Sequence, residues 1–463
     1  MNILNYKIYY FLGIGGIGMS ALARYFNHYQ KKVSGYDKTS TILTQELEKE
    51  NIACHYSEEV EALKNILSIY KKEEVLIIYT PAVPTNNKEY EYLVTNNYSI
   101  KKRSEVLGEI TKQFKTIAVA GTHGKTTTTT IITHLLKSAG INCFSFMGGI
   151  SKNYNTNLLL GDSNDKNAFV VVEADEYDRS FLTLHPYIAV ITSVDADHLD
   201  IYINKNNLHE SYKQFSKQVQ NNGFLIVKKN VDNELNLSDN RLIYSLNLNT
   251  EYRAEGVHIK DAQFVYDVMS PLECITGVTI GLPGLHKVEN SIAAVAVVQQ
   301  IGLKADQIRE ALRSFKGVKR RFDYRIKSED LVFIDDYAHH PEELKAAIGA
   351  AKQLYPDKKV TGIFQPHLYS RTRDFADGFA ESLDLLDECI LLEIYPAREM
   401  PIEGVTSQML LSKMKSNNKH LVKKENILEF LKNKPFEVLI TLGAGDVDTL
   451  VEPIEELLLN NKV

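Results

Sequence analysis

Short apolar-rich runs, most of them stopping at or beside a glycine, a carboxylate or a proline, recur along the chain and alternate with longer stretches of helical period. The runs 6–12, 32–37, 75–80, 116–120, 168–172 and 187–193 carry it, followed by 331–336, 360–364, 388–394 and 436–442. Continuous apolar runs of this length predict strands buried on both faces of parallel sheets, and the intervening amphipathic stretches predict crossover helices. Residues 19–29 place Ala21 and Leu22 where they can face a sheet, and the Ala/Val-rich stretch 285–298 predicts a helix with an inward apolar face. The pattern is doubly wound α/β, repeated three times. Domains are expected at 1–109, 110–319 and 320–463.

What the strands deliver at their ends is chemical. TIAVAGTHGKTTTTT, 116–130, is an apolar strand emptying into a glycine turn, a lysine and a row of threonines. Gly121 and Gly124 leave backbone N–H groups open to a phosphate, and the helix behind them offers its positive end. Lys125 neutralises charge, and the Thr126 hydroxyl reaches a magnesium ion. The common phosphate loop has a glycine six residues before its lysine; Val119 stands there, so the loop is a shortened variant. Glu173 follows the strand 168–172, and Asp197, His198 and Asp200 follow 187–193. That is the rim where open α/β sheets bind ligands. A carboxylate and an imidazole there suit a hard cation, with helix capping or surface hydrogen bonding as the plainer roles. Asp178 and Arg179 fit a solvated pair.

GIGGIG, 13–18, places Gly13, Gly15 and Gly18 in the dinucleotide fingerprint, with Asp37 ending the next strand within reach of a ribose hydroxyl. NAD, a UDP-sugar and an unliganded turn all satisfy that motif. TPAVP, 80–84, forms a rim loop. His286 and Asn290, four apart, share a helix face fit to read adenine or ribose, or to cap the helix. Arg320 and Arg321 mark entry to the third unit, where Asp336, His339, His340, His367, Arg371, Arg373, Arg398 and Asp446 fall at strand ends. Loop and cap roles suit His340 and Asp446; Arg371 and Arg373 form a concentrated positive pair. The asparagine-rich stretches 151–167 and 230–250 predict loops, and the lysine-rich 412–424 a solvated helix and turn.

Composition narrows the partners. The chain has 463 residues, 44% of them apolar, and 53 basic against 59 acidic side chains, a net charge of −6. That balance draws it to no nucleic acid. Cys54, Cys143, Cys274 and Cys389 lack metal spacing and predict buried thiols in a reducing cytoplasm. No signal peptide or stable membrane insertion is expected.

GIGGIGMS, GTHGKT, EADE, DADHLD, the His286/Asn290 helix, GVKRRF, DDYAHHPEE, QPHLYSRT, EIYPAREMPIEGVTS and GAGD follow in order over nearly the whole chain. Together they resemble the Mur ligases. The resemblance implies three domains: a Rossmann-like N-terminal domain, a central P-loop ATPase-like domain and a Rossmann-like C-terminal domain. It implies ATP-dependent joining of L-alanine to the lactyl carboxylate of UDP-N-acetylmuramate through an acyl phosphate, in a cytoplasmic monomer or weak homodimer. Gly13, Gly15, Gly16 and Gly18, with Asp37, Thr80, Pro81 and Ala82, would then hold the UDP-sugar. Gly121, Thr122, His123, Gly124, Lys125, Thr126 and Thr127 would hold ATP, with His286, Asn290, Arg321, Asp336 and His339. Thr126 and Glu173 would ligate magnesium and His198 a second magnesium. Lys125, His198, Arg371 and Arg373 would be catalytic; Tyr337, His367, Arg371 and Arg398 would meet the amino acid. Lys287 departs from the asparagine usual in the family's adenine motif. The lysine that other members carbamylate has no counterpart at DADHLD. Members that attach a whole murein tripeptide are the rival within the family. An oxidoreductase built on 13–18 leaves Lys125, Glu173 and His198 without work.

Overall fold

The computed structural model describes residues 3–195, 202, 204–237, 240–260, 263–397, 399–432 and 434–460. Each apolar run above contains a strand. The first sheet comprises β1 (Ile8–Leu12), β2 (Lys32–Tyr36), β3 (Ala53–His55), β4 (Val75–Tyr79) and β5 (Ser99–Lys102), in the order β3-β2-β1-β4-β5. All its pairs are parallel, and Leu12 lies beside both Tyr36 and Tyr79. Flush C-terminal ends put the loops that start at Gly13, Asp37 and Thr80 on one rim.

The second sheet comprises β6 (Lys115–Ala120), β7 (Cys143–Ser151), β8 (Thr156–Leu159), β9 (Phe169–Ala174), β10 (Ile188–Ile191), β11 (Phe224–Lys228), β12 (Leu242–Ser245), β13 (Tyr252–Lys260), β14 (Gln263–Met269) and β15 (Ile275–Ile280). Its order is β15-β14-β13-β12-β11-β10-β6-β9-β7-β8. Ala120 is level with Ala174 on one side and Ile191 on the other, so the phosphate-type loop, Glu173 and the end of β10 share a rim. Ile117, Ala118, Val119 and Ala120 are fully buried, and each buried Val or Ile contributes about 1.5–3 kcal/mol over exposure. Val119 is therefore a core residue of β6.

The third sheet comprises β16 (Asp323–Lys327), β17 (Val332–Asp336), β18 (Val360–Phe364), β19 (Glu388–Leu391), β20 (Lys419–Leu421) and β21 (Val438–Leu442), ordered β16-β17-β21-β18-β19-β20. Only its edge pair β16/β17 is antiparallel; Asp336 and Phe364 both lie level with Leu442. The chain groups into two compact units, 1–256 with 266–278 and 289–315, and 257–265 with 279–288 and 316–463. The first sheet and most of the second belong to the first unit, and the third sheet to the second. Within the first unit, the helix Ile17–His28 packs Tyr9 on Phe26 at 3.8 Å between ring centroids and sets Tyr25 against Phe144 and Phe146 of β7.

Several expectations are corrected. Residues 151–167 include the end of β7 and all of β8, and Asn157 is fully buried; asparagine in a strand is paid for there by three side-chain hydrogen bonds. Residues 230–250 include most of the helix Lys229–Leu235 and the strand β12. Lysines at 412–424 flank the edge strand β20, where charge on an open edge discourages further pairing. Asp178 pairs with Lys102 at 2.8 Å and Arg179 lies over the Tyr202 ring, so the two are not partners. All four cysteines are free, but only Cys143 and Cys389 are buried and Cys274 is exposed. No helix among the described residues is long and apolar enough to cross a membrane.

Candidate functional site

At the end of β6 the chain turns at Gly121, whose φ of +136° and whose distance of 2.1 Å from a notional Cβ to Thr192 Oγ1 admit only glycine. The loop is then pinned from the end of β10. Thr192 Oγ1 donates to the His123 carbonyl at 2.5 Å, the His123 N–H donates to Ser193 Oγ at 2.7 Å, and Thr122 Oγ1 donates to the Asp195 carbonyl at 3.0 Å. Those bonds fix the short loop against the end of β10. Lys125 opens the helix Lys125–Ser138, with Gly124 as N-cap lying close to Asn290. Backbone N–H groups at such a terminus favour an anion.

Two carboxylates face this helix start. Lys125 Nζ lies 2.7 Å from Glu176 Oε2, and Thr126 Oγ1 donates to Glu173 Oε2 at 2.8 Å. Burial presses the Lys125 ammonium toward neutrality, but Glu176, Glu173 and Asp175 outweigh it and raise its pKa above the ordinary lysine value. Glu173 rests against Gly148 of β7, where a Cβ would come within 2.0 Å of its carboxylate. Glu176, Gly148, Thr192 and Ser193 were not singled out from the sequence. The second glutamate of EADE, three residues after Glu173, was the available signal; Gly148 had none, because its neighbour comes from another strand.

Hard oxygen donors of this kind suit magnesium, which takes one or two protein oxygens and completes its shell with phosphate and water. Among the described residues no group of three or more His, Cys, Asp or Glu is gathered for a metal. Thr126 and Glu173 therefore fit magnesium held jointly with a nucleotide, not a metal caged by protein alone. Asp197, His198, Asp200 and Arg398 lie outside the described residues.

On the first sheet's rim, the Gly15 N–H donates to Asp37 Oδ2 at 2.7 Å, and the N–H groups of Gly13 and Ile14 donate to the Tyr36 carbonyl. Thr80 closes over Gly13, its Cγ2 being 2.5 Å from a notional Cβ there. Gly13, Gly15, Asp37 and Thr80 thus meet. Pro81 and Ala82 continue outward, and Ala82 N–H reaches Thr80 Oγ1 at 3.5 Å. Gly16 caps the helix Ile17–His28. Gly18 lies beside Arg103, which pairs with Asp175 at 3.0 Å.

In the second unit, Asp336 ends β17 and accepts from the Phe322 and Ala338 N–H groups at 2.6 and 2.7 Å. The guanidiniums of Arg320 and Arg321 each lie 5.1 Å from the Tyr337 ring centre. His339 is 3.1 Å from Glu343, which Arg321 approaches at 3.7 Å, and His367 stacks on Tyr395. Lys287, 4% exposed, belongs to this group. Burial pushes its ammonium down to about 8 and Arg321 adds to the fall, against the opposing pull of Asp336 and Glu343. Burial likewise raises Asp336. His286 lies against Gly284. Arg371 and Arg373 share the short helix Tyr369–Asp374, but Arg373 is exposed and pairs with Asp374 at 2.7 Å. His340 caps the helix Pro341–Leu354 and Asp446 accepts from Gln365 and Lys424.

The chain matches, in order, the Mur ligase family catalytic domain over residues 8–115, the Mur ligase middle domain over 119–298 and the Mur ligase glutamate ligase domain over 320–445. It is 48% identical to the UDP-N-acetylmuramate–L-alanine ligase of Flavobacterium johnsoniae over 461 residues, covering 100% of each chain. The protein of the same name from Cytophaga hutchinsonii is 45% identical over 458 residues, 99% of this chain and 98% of the other. Among solved structures, the UDP-N-acetylmuramate-alanine ligase of Thermotoga maritima superposes with a TM-score of 0.82 at 26% identity, covering 98% of this chain and 99% of that one. A murein peptide ligase from Psychrobacter arcticus shares the fold, with a TM-score of 0.71 at 22% identity and 98% coverage of both chains.

Proposed function

The chain belongs to the Mur ligase family, and on that premise we propose that it joins L-alanine to UDP-N-acetylmuramate at the expense of ATP. The lactyl carboxylate attacks the γ-phosphorus, ADP leaves, and the alanine amine then attacks the acyl carbon, releasing phosphate and the amine's proton. The supporting observation is the pairing of Lys125 with Glu176 beside Thr126 and Glu173, at the mouth of a phosphate-type loop. The identity to L-alanine ligases over the full chain names the amine.

Lys125, kept charged by its carboxylate neighbours, balances the phosphoryl charge as it moves; Gly121–Thr127 offer N–H groups to the phosphates. Thr126 and Glu173 would hold magnesium, with His198 serving a second ion. When bound, magnesium supplies charge neutralisation on the phosphate oxygens. Gly13, Gly15, Gly16, Gly18, Asp37 and Thr80–Ala82 hold the UDP-sugar. His286, Asn290, Arg321, Asp336 and His339 hold the nucleotide side, and Tyr337, His367, Arg371, Arg373 and Arg398 orient the amine. The domains run 1–109, 110–319 and 320–463, in a cytoplasmic monomer or weak homodimer.

Phosphate release from ATP and Mg²⁺ with UDP-N-acetylmuramate tests this, with either L-alanine or the L-Ala, D-Glu, diamino-acid tripeptide, and the product mass checked. Release with amide formation on alanine alone is expected. Activity with the tripeptide alone overturns the choice of amine and moves the protein to peptide recycling.

A further inference from the structure

We infer that Asn157 is a positioning residue that sets the UDP-sugar loop of the first sheet against the phosphoryl-transfer carboxylate of the second. This rests on the ligase reading above. Asn157 lies on β8, far in sequence from the glycine loop of the first sheet, and is fully buried. Its amide Nδ2 donates to the Ile17 carbonyl at 2.6 Å and to Ser20 Oγ at 3.0 Å, and its Oδ1 accepts from Arg24 at 2.6 Å. Ile17 and Ser20 form the first turn of the helix that follows GIGG, the end that faces a bound diphosphate. Arg24, one turn on, is held in place by a two-point contact with Glu50.

The other arm of the same hairpin reaches the second site. β8 pairs antiparallel with β7, and β7 carries Gly148, the residue against which the Glu173 carboxylate rests. Tyr25 against Phe144 and Phe146 seats the helix on β7 without direction, since apolar contact tolerates sliding. Three directed hydrogen bonds from one buried amide fix the register that the aromatic contact leaves free. The local shape of the glycine loop needs none of them: it is held by Gly13 and Ile14 N–H on Tyr36, Gly16 N–H on Gly13 and Gly15 N–H on Asp37. Asn157 therefore governs where the loop stands relative to Glu173, not whether it forms. A misplacement of about 1 Å between reacting groups costs up to about 100-fold in rate.

The test compares wild type with Asn157→Leu and with Asn157→Asp, which keeps the acceptor for Arg24 but loses both donated bonds. Binding of UDP-N-acetylmuramate and of β,γ-methylene-ATP is titrated separately, and kcat is measured per binding-competent site with whichever amine the wild type uses. We expect both Kd values within about threefold of wild type while kcat falls about tenfold or more. A merely structural role would lower the fraction of competent sites and leave kcat per site alone. An Asn157→Asp protein with kcat within about twofold of wild type overturns the inference. So does a Kd for the UDP-sugar that weakens as much as kcat/KM falls, because Asn157 would then act inside the first site. Wild type without phosphate release from any amine refutes the ligase reading instead, and undisturbed binding titrations in the variants separate that failure from this one.

Discussion

Lys125 and Lys287 both lie below the surface, one in each compact unit, and they differ in charge chemistry. Lys125 has a side chain 13% exposed and Lys287 is 4% exposed. Burial acts on both ammoniums in the same direction, toward the neutral form. At Lys125 three carboxylates, Glu176, Glu173 and Asp175, reverse it; at Lys287 the attraction of Asp336 and Glu343 is opposed by Arg321 and burial prevails. The count and sign of neighbours, not depth, decide whether a buried lysine is a permanent cation. A group that must meet transferring phosphoryl charge needs the first arrangement, and a nearly neutral amine could not replace it.

The contrast breaks most severely at Lys125. Lys125→Ala is expected to lower turnover about 10³-fold, because the developing phosphoryl charge loses its cation. Steady-state phosphate release at saturating substrates measures it, and activity within about tenfold of wild type would refute the role assigned to this lysine. Glu176→Gln sharpens the comparison by moving Lys125 toward the situation of Lys287. With Glu176 2% exposed in the native chain, breaking the pair is expected to cost about 3 kcal/mol in urea unfolding; an unchanged midpoint and slope would show that Glu173 and Asp175 suffice.

The smallest effect is a pH dependence at Lys287. Its folded pKa, about 8, lies below the ordinary 10.5, so between those values the unfolded chain binds more protons and stability rises with pH. Below pH 8 the penalty for burying the charged form is fully present. Relative to Lys287→Met, the wild type should gain on the order of 2 kcal/mol between pH 7 and pH 10. Urea unfolding of both proteins at the two pH values reads the difference. Parallel profiles would mean that Lys287 keeps its proton as firmly as Lys125 does.

Most of the site was legible because its chemistry is local in sequence. Gly121, Gly124, Lys125 and Thr126 lie within one turn, and Glu173 ends an apolar run; sheet register then brings Ala120 level with Ala174, carrying the two groups together. Glu176 was within reach of the same argument. Asn157 was not. Its asparagine-rich surroundings carry the composition of a loop, and its burial depends on Ile17 and Ser20, residues about 140 positions away, which no local propensity encodes.

By itself, the order of apolar runs and polar strand ends determined that the chain is α/β, where ten of its strands lie and which residues follow them on the rims, since burial on both faces of a parallel sheet demands just such runs. The tertiary structure alone decided which charges are permanent and which loops are braced. A pKa depends on the neighbours that surround a group in space, and a buried amide is tolerated only where partners from distant strands and helices satisfy it.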